Sequence, residues 1–418
     1  MVSLFVGSVL VARGFDEPAV TPSTRPTTQP TTRSAEAAAR RVRRAELTDE
    51  QYKTLADDLR KTYSKPVEHW PKPLLDPGEL DHFTDIGPLP PPPFPDNNPF
   101  TKEKETLGRQ LFFDPRLSGS GQIACASCHD PDLAWADGRT TSFGHDRMQL
   151  RRNAPSVLFS AYMKTQFWDG RSGSLEDQVR SPISSHDEMA SNPSSVEKRL
   201  NTIPEYREQF KQIFGADRIT MLDASKAVAT FERALAMRAG KSKFDKFATG
   251  DADALSDAAV RGLHLFRTEA RCINCHYTPA FTDNEFHNVG LTYYGRELED
   301  LGRYVVTDDP QDVGKFRTPT LRNVGRTRPY MHNGVFDLEG LIAVYNNGMP
   351  VPRPTKEQET DPLFPKTDPM LQPLHLNLQD RQDLQAFLES LNEPFYRMRP
   401  PRLPPEAPKK DDVKEDPK

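Results

Sequence analysis

Helical periodicity runs through several parts of the chain, whereas alternating strand patterns are scarce. In residues 222–239, one helical face collects Ala224, Ala227, Val228, Phe231 and Leu235. In residues 378–391, one side carries Leu384, Phe387, Leu388 and Leu391. The stretch "LIAVYNNGM" (341–349) predicts a helix end, because Asn346, Asn347 and Gly348 favour the conformations that close helices. The pattern predicts a mostly α fold with long loops and little β structure.

Two capping-box patterns mark further helix starts. Thr48 and Gln51 precede "YKTLADDLRKTY", and Ser194 and Glu197 open "VEKRLNTIPEYREQF". In such a box, the first side chain accepts a hydrogen bond from the fourth residue's backbone, and the fourth side chain returns the bond. We therefore expect helices to begin just after Thr48 and just after Ser194.

Composition divides the chain into segments. Residues 1–14 carry an apolar run that is too short to span a bilayer and lacks the basic start of an ordinary signal peptide. We interpret this run as an atypical export signal or membrane anchor, with a disordered start as the alternative. The remaining segments are a Thr/Pro-rich disordered linker (15–45), a helix with a Pro-rich arm (46–100), two folded regions (101–245 and 246–395) and a disordered polar tail (396–418).

The charge balance excludes one class of partner. The formal net charge is −5, whereas a nucleic-acid-binding protein needs a basic patch or stripe. We therefore expect no nucleic-acid partner.

The four cysteines lie in two identical motifs. "CASCH" contains Cys125, Cys128 and His129, and "CINCH" contains Cys272, Cys275 and His276. C-x-x-C-H is the attachment signature of c-type haem, in which two thiols bond to one porphyrin and the following histidine binds its iron. A four-cysteine zinc site would not require a histidine after each pair, and a redox dithiol usually lies in a βαβ unit. The sequence therefore predicts two covalent haems.

Each motif follows a short helix, which indicates an internal duplication of about 150 residues. Covalent haem attachment takes place outside the cytoplasm. This location agrees with the interpretation of residues 1–14 as an export segment.

From about residue 101 to residue 395, the chain resembles the bacterial di-haem cytochrome c peroxidases, including their MauG-like branch. The matching stretches occur in the family's order and are "LGRQLFFDPRLSGSGQIACASCHDP", "RRNAPSVLFSAY", "FWDGRSGSLEDQ", "FRTPTLRNV" and "RPYMHNGVF". The resemblance implies two cytochrome c-like haem domains. The first (101–245) would be peroxidatic, and the second (246–395) would transfer electrons.

The resemblance also implies roles for three side chains near the first motif. Glu188 corresponds to a glutamate beside the peroxide site, where a carboxylate can move a proton between the two peroxide oxygens. Trp168 corresponds to a tryptophan between the haems that relays electrons. His145 corresponds to a residue that caps the first haem in the resting, oxidised state. The alternatives are a solvated loop glutamate, a core tryptophan and an exposed histidine without a special role.

Further positions are implied in the second half. His332, in "MHNG", would lie near a haem propionate or between the haems, although Asn333 replaces the family's usual aspartate. A calcium ion would be held by Asn153, Thr327 and Pro329, whose oxygen atoms suit that cation. Simple loop structure is the alternative for these three residues.

The sixth ligand of the second haem divides the family. The position falls on Tyr345, as in the MauG-like branch, with Met349 as the less favoured candidate and a core tyrosine also open. A thioether favours the reduced haem and suits electron collection from a donor. A phenolate favours higher oxidation states and suits the oxidation of a substrate.

The leading hypothesis is an exported di-haem peroxidase that reduces H₂O₂ with electrons from an external donor protein, a cytochrome c or a cupredoxin. A MauG-like oxidase of a partner protein is the close alternative, and a non-enzymatic electron carrier is the other. The expected location is the periplasm or another extracytoplasmic space, with a membrane tether as an option. The oligomeric state stays open, with a homodimer as one option.

Overall fold

Helices supply nearly all the regular structure in this computed structural model, which describes residues 44–77 and 82–406. The described α-helices, named α1 to α12, are Asp49–Tyr63, Lys102–Phe112, Leu175–Gln178, Arg180–Ser184, Pro193–Asn201, Pro204–Phe214, Met221–Ala236, Lys243–Ala248, Asp257–Arg267, Tyr304–Thr307, Leu338–Asn346 and Leu378–Ser390. Short 3₁₀ turns are Val67–His69, Pro115–Leu117, Cys125–Ser127, Pro131–Leu133, His145–Arg147, Ser160–Tyr162, Cys272–Asn274, Pro310–Asp312 and Val324–Arg326.

The sheet content of the described residues is a single antiparallel pair of two-residue strands. β1 (Phe286–His287) pairs with β2 (Phe316–Arg317), and Phe286 lies opposite Arg317. The prediction of a mostly α fold with little β structure is confirmed. The predicted export segment 1–14, most of the predicted linker and the end of the predicted tail lie outside the described residues. Among the helices that are described, none has the length and apolar character needed to cross a membrane.

One of the two capping boxes is confirmed. The Thr48 hydroxyl accepts from the Gln51 backbone N–H, and the Gln51 side chain accepts from the Thr48 N–H at 3.0 Å. The second prediction is wrong. Asn192 caps α5 by accepting from the Ser195 N–H at 2.9 Å, because Pro193 occupies the first helical position.

The segment that begins at Ser194 is also two helices rather than one. Pro204 starts α6, and the residue before a proline is disfavoured in the helical conformation, so α5 ends at Asn201. Glu197 does not complete a capping box. Its carboxylate accepts instead from the Met221 N–H at 2.8 Å, which ties α5 to the start of α7.

In each half, the helix that precedes the cysteine motif crosses a later helix at a glycine. α2 crosses α7 at Gly108, where an added Cβ would lie 1.9 Å from the Ala227 oxygen and 2.9 Å from the Phe231 Cβ. α9 crosses α12 at Gly262, where the matching distances are 2.0 Å to the Asp383 oxygen and 2.7 Å to the Phe387 Cβ. Only glycine permits such close crossings, so the two pairs share one geometry and register.

Two hydrophobic cores are built around these pairs. The first surrounds α2 and α7, and the second surrounds α9 and α12. The chain does not divide between them strictly in sequence order. Tyr63 of α1 packs in the second core, and Met398, beyond the second cysteine region, packs in the first. The proposed boundaries of the two domains stay a prediction.

Candidate active site

A cavity of about 880 Å³ reaches both cysteine motifs. Its lining brings together most of the residues singled out in the sequence, namely Cys125, Cys128, His129, Asn153, Trp168, Glu188, Cys272, Cys275, His276, Thr327, Pro329, His332 and Tyr345. His145 and Met349 do not belong to the lining. The fold therefore gathers side chains that are separated by more than half of the chain around one enclosed space.

The two histidines of the motifs are held in the same orientation. The Nδ1 of His129 lies 3.2 Å from the Trp135 carbonyl oxygen, and the Nδ1 of His276 lies 3.1 Å from the Phe281 oxygen. A carbonyl only accepts, so each Nδ1 donates and leaves the Nε2 lone pair free for a metal. Trp135 and Phe281 both adopt positive φ, at 64° and 55°.

The cysteines do not form a zinc site. Among the described residues, the group of metal-binding side chains close enough to hold one ion is Cys275, Asp283 and His287, so the four thiols do not meet. Burial raises the pKa of the Cys125 and Cys272 thiols to about 12. A thioether bond to haem needs no charge on the sulfur, so these buried thiols are compatible with haem attachment.

Two buried polar groups in the cavity lack the partners expected for them. Arg317 is 7% exposed, and its guanidinium reaches the Met163 sulfur and backbone oxygens but no carboxylate in the described chain. The Nε2 of His332 is likewise buried without a hydrogen-bond partner in the described part. A haem carries two propionates, so the Arg317 guanidinium fits the group that the cysteine motifs imply.

Glu188 lies on the cavity wall, in the turn that follows α4. Burial raises the pKa of its carboxyl, and the nearby charge of Arg171 only partly opposes that effect. The turn is held by the 144–145 backbone, because the His145 N–H donates to the Glu188 oxygen at 2.9 Å. A Cβ on Gly144 would lie 1.9 Å from the Asp187 oxygen, so this position requires glycine.

The His145 imidazole does not face the cavity. Its Nε2 lies 3.5 Å from the Asp146 carboxylate instead. In this conformation His145 supports Glu188 through its backbone, and its role as a cap of the first haem stays a prediction.

Trp168 lines the cavity and is held in place through its indole N–H. That group donates to the Asn153 oxygen at 3.0 Å, and the Asn153 N–H donates to the His332 oxygen at 2.7 Å. The rings of Trp168 and His332 meet edge to face at 6.4 Å, and His332 stacks on Phe316 at 3.7 Å. Burial lowers the pKa of His332 to about 4, so its imidazole is neutral at ordinary pH.

Tyr345 and Met349 occupy different environments. Tyr345 lies on α11 and lines the cavity, and burial followed by the Cys275 and Cys272 thiols raises the pKa of its phenol. Met349 follows Gly348, after the end of α11, and is buried outside the cavity lining. Of the two candidate ligands, Tyr345 is therefore the one directed toward the second cysteine motif.

Comparison with known proteins gives a consistent result. The family model "Di-haem cytochrome c peroxidase" matches residues 102–253. Cytochrome-c peroxidase IdrP1 of Pseudomonas sp. is 38% identical over 342 residues, covering 75% of this chain and 86% of that protein. Methylamine utilization protein MauG of Methylorubrum extorquens is 39% identical over 316 residues, covering 75% and 84%.

The chain belongs to the di-haem cytochrome c peroxidase family. A solved structure of a MauG-like protein associated with microbial copper homeostasis matches with a TM-score of 0.64 and 32% identity, covering 72% of this chain and 93% of that one. The diheme peroxidase BthA of Burkholderia thailandensis matches with a TM-score of 0.60 and 25% identity, covering 74% and 92%. The predictions of haem cofactors and of a peroxidase-type oxidoreductase are confirmed.

One feature of this peroxidase's site was not foreseen from the sequence, although it lies in a stretch quoted for the resemblance. Arg152 bridges the two halves of the chain. It donates to Asp169 at 2.5 Å and to both oxygens of Asp300 at 2.7 and 2.8 Å. Asp169, which also accepts from Arg171 at 3.0 Å, is the residue after Trp168, so this network anchors the tryptophan.

Proposed function

We propose that this protein reduces hydrogen peroxide to water, with electrons from an external donor protein. His129 would hold the haem that supplies the peroxide chemistry, and His276 would hold the haem that receives electrons from the donor. The observation that carries the proposal is the single cavity that joins both histidines, with the Glu188 carboxyl on its wall. The haem supplies the redox chemistry, and the side chains described below supply protons, position and access.

Glu188 acts as the acid and base of the reaction. Burial raises the pKa of its carboxyl, so the group can hold a proton nearer neutral pH than an exposed glutamate can. It accepts the proton of one peroxide oxygen and donates it to the departing oxygen. Arg171 limits the shift, which keeps the carboxyl able to lose its proton again.

Trp168 supports transfer of electrons between the two halves. Its indole touches the His332 ring and is hydrogen-bonded to Asn153, so its position is fixed relative to both motif regions. Arg152 pairs with Asp169, the residue after Trp168, and holds it in place. A rigid aromatic group there shortens the gap that an electron has to cross.

A MauG-like oxidase that uses peroxide to modify side chains of a partner protein is the second candidate. It is favoured by one observation, the presence of Tyr345 rather than Met349 in the cavity lining. An anionic phenolate would stabilise the oxidised second haem. A near-infrared absorption band after one equivalent of peroxide would support this candidate.

The same proposal includes a calcium site, a cellular location and a partner protein. Asn153, Thr327 and Pro329 line the cavity and offer oxygen ligands for a calcium ion. The protein works outside the cytoplasm, in the periplasm or a similar compartment, because c-type haem is attached there. The donor is a small cytochrome c or cupredoxin, and a homodimer is compatible with these roles.

The decisive experiment compares Glu188→Gln with Glu208→Gln, a control at an exposed carboxylate. Both variants should retain two covalent haems by mass and absorbance. We expect peroxide turnover to fall by about a hundredfold or more in Glu188→Gln, because a general acid–base contributes on that scale. Full turnover in Glu188→Gln would remove the acid–base role, and no turnover in the wild-type protein would remove the proposed function.

A further inference from the structure

A second carboxyl, that of Glu232, lines the same cavity. It stands on α7 next to Phe231, the residue that packs against Gly108. The residue is 4% exposed, lines the cavity, and its Oε2 has no hydrogen-bond partner among the described residues. A buried carboxyl oxygen without a hydrogen-bond partner is unfavourable, so its presence there calls for a physical role.

The duplicated half provides a comparison for this position. Gly108 packs against Phe231 as Gly262 packs against Phe387, so Glu232 corresponds in register to Leu388. Leu388 also lines the cavity. The fold therefore does not require a carboxyl at this point of the helix crossing, and only the first half has one.

A second recess lies beside the neighbourhood of Glu232. Its neighbour Arg233 forms a two-bond ion pair with Glu176, at 2.6 and 2.9 Å. Both residues line a second recess of about 530 Å³, whose walls also carry the exposed Asp177 and Arg180. The two cavities share part of their walls, formed by Ser160, Met163, Gln166 and Leu175.

We propose that Glu232 is the proton-loading group of the first haem pocket. When an electron reaches the haem attached at Cys125 and Cys128, the Glu232 carboxylate binds one proton from solvent through the second recess. When that electron passes to peroxide, the carboxyl releases the proton, which ends on the oxygen that leaves as water. Each electron is thus matched by one proton, the ratio that peroxide reduction consumes, and the net charge of the pocket is unchanged.

The charges around Glu232 allow this exchange. Burial raises the pKa of Glu232 to about 8, with Arg233 lowering and Glu176 raising it. Cys125 also senses the carboxylate, but a cysteine bonded to haem no longer titrates. The charged groups on neighbouring helices are engaged elsewhere: Lys104 with Asn98, Glu105 with Lys102, Glu197 with Met221, and Arg199 with Ser118. A ferric haem carries one more positive charge than a ferrous one, so reduction strengthens proton binding.

The test is a redox titration of the full protein with both haems, at a series of pH values on either side of 8. In the wild type, the reduction equilibrium of the first haem should become less favourable by up to about tenfold per pH unit, as one proton per electron requires. In Glu232→Gln this dependence should disappear. The second haem should behave alike in both proteins, and Glu208→Gln should match the wild type.

Infrared difference spectra provide a second readout that does not involve turnover. Reduction of the wild type should produce the band of a newly protonated carboxyl, and Glu232→Gln should lack that band. A Glu232→Gln protein that keeps the wild-type pH dependence, or a wild type without one, would overturn the proposal. The proposal depends on the first haem and not on peroxide turnover, so failure of the proposed function would be seen separately.

Discussion

The two halves of this protein share a scaffold and differ in what they point into the cavity. Each half crosses two helices at a glycine, places a C-x-x-C-H turn after the first helix and fixes its histidine with a backbone carbonyl. The first half adds the carboxyls of Glu188 and Glu232. The second half adds Tyr345 and, at the position of Glu232, Leu388. The shared scaffold agrees with the predicted duplication, and in the proposed function the few changed side chains separate proton chemistry from electron transfer.

Removing the ion pairs of Arg152, which join the two halves, should have the largest effect on the stability of the fold. Arg152→Ala removes the ion-pair partner of Asp300 and leaves Asp169 with Arg171 alone, which we expect to cost about 3–5 kcal/mol in the free energy of unfolding. Denaturant unfolding, monitored by haem absorbance, measures this loss of stability. Arg151→Ala is the control, since that exposed neighbour reaches only the Glu299 oxygen. Equal losses in the two variants would show that the halves do not depend on Arg152.

The ion pair between Arg152 and Asp300 predicts that the stability of the fold depends on pH. Burial alone would raise the pKa of Asp300, but the hydrogen bonds and charge of Arg152 lower it overall. Its contribution to stability is therefore present above the unfolded pKa of about 3.9 and is lost as the pH falls through the lower folded value. We expect the stability difference between wild type and Arg152→Ala to shrink in that acid range.

Alanine substitutions at the two glycine crossings test whether the helix pairs of the two halves are equivalent. Gly108→Ala and Gly262→Ala would each push a methyl group to about 2 Å from a backbone oxygen. We expect similar losses of roughly 1–3 kcal/mol, the usual cost of overpacking. Gly173→Ala should cost within about 0.5 kcal/mol, because a Cβ there meets nothing within 4 Å. A large loss at only one crossing would break the comparison between the halves.

Tyr345 tests the difference between the halves at the second haem. If Tyr345 is the ligand, as proposed above, Tyr345→Phe removes an anionic group from that haem. Its reduction should then become more favourable by about tenfold or more, and its spin state should change. Redox titration and electron paramagnetic resonance measure these changes. Met349→Leu is the paired control and should change neither, since Met349 lies outside the cavity lining. The reverse pattern would assign the ligand to Met349.

The sequence predicted the parts of this site that depend on local spacing. Two C-x-x-C-H motifs and the periodicity of residues 222–239 and 378–391 define the haem turns and the helices beside them. The roles of Glu188, Trp168 and Tyr345 came only from the family resemblance, because no local pattern separates a loop glutamate from a proton donor. The false capping box at Ser194 arose because the pattern ignored the competing cap at Asn192, just before a proline.

Contacts between residues far apart in the chain could not be predicted from local sequence patterns. Arg152 and Asp300 are 148 positions apart, and nothing near either one indicates the other. Glu232 did leave a signal. It lies four residues after Val228 and three before Leu235, so helical spacing places a charged residue on the apolar face of α7.

The smallest effect is expected from a substitution that gives the first half the residue found at the matching position of the second half. Glu232→Leu replaces an unsatisfied buried carboxyl with the residue found at the equivalent position, so it should stabilise the fold by about 1 kcal/mol. The gain should depend on pH. The folded pKa of Glu232, about 8, is above the unfolded value of about 4.3, so the wild type loses stability as the pH rises through that interval.

The advantage of Glu232→Leu in thermal or denaturant unfolding should therefore be larger near pH 8 than near pH 5. Leu388→Ala, at the matching position of the second half, should instead cost about 2–5 kcal/mol at either pH, because it opens a cavity without removing a charge. If Glu232→Leu is destabilising at both pH values, the carboxyl has a structural partner. The first half would then differ from the second in packing as well as in proton chemistry.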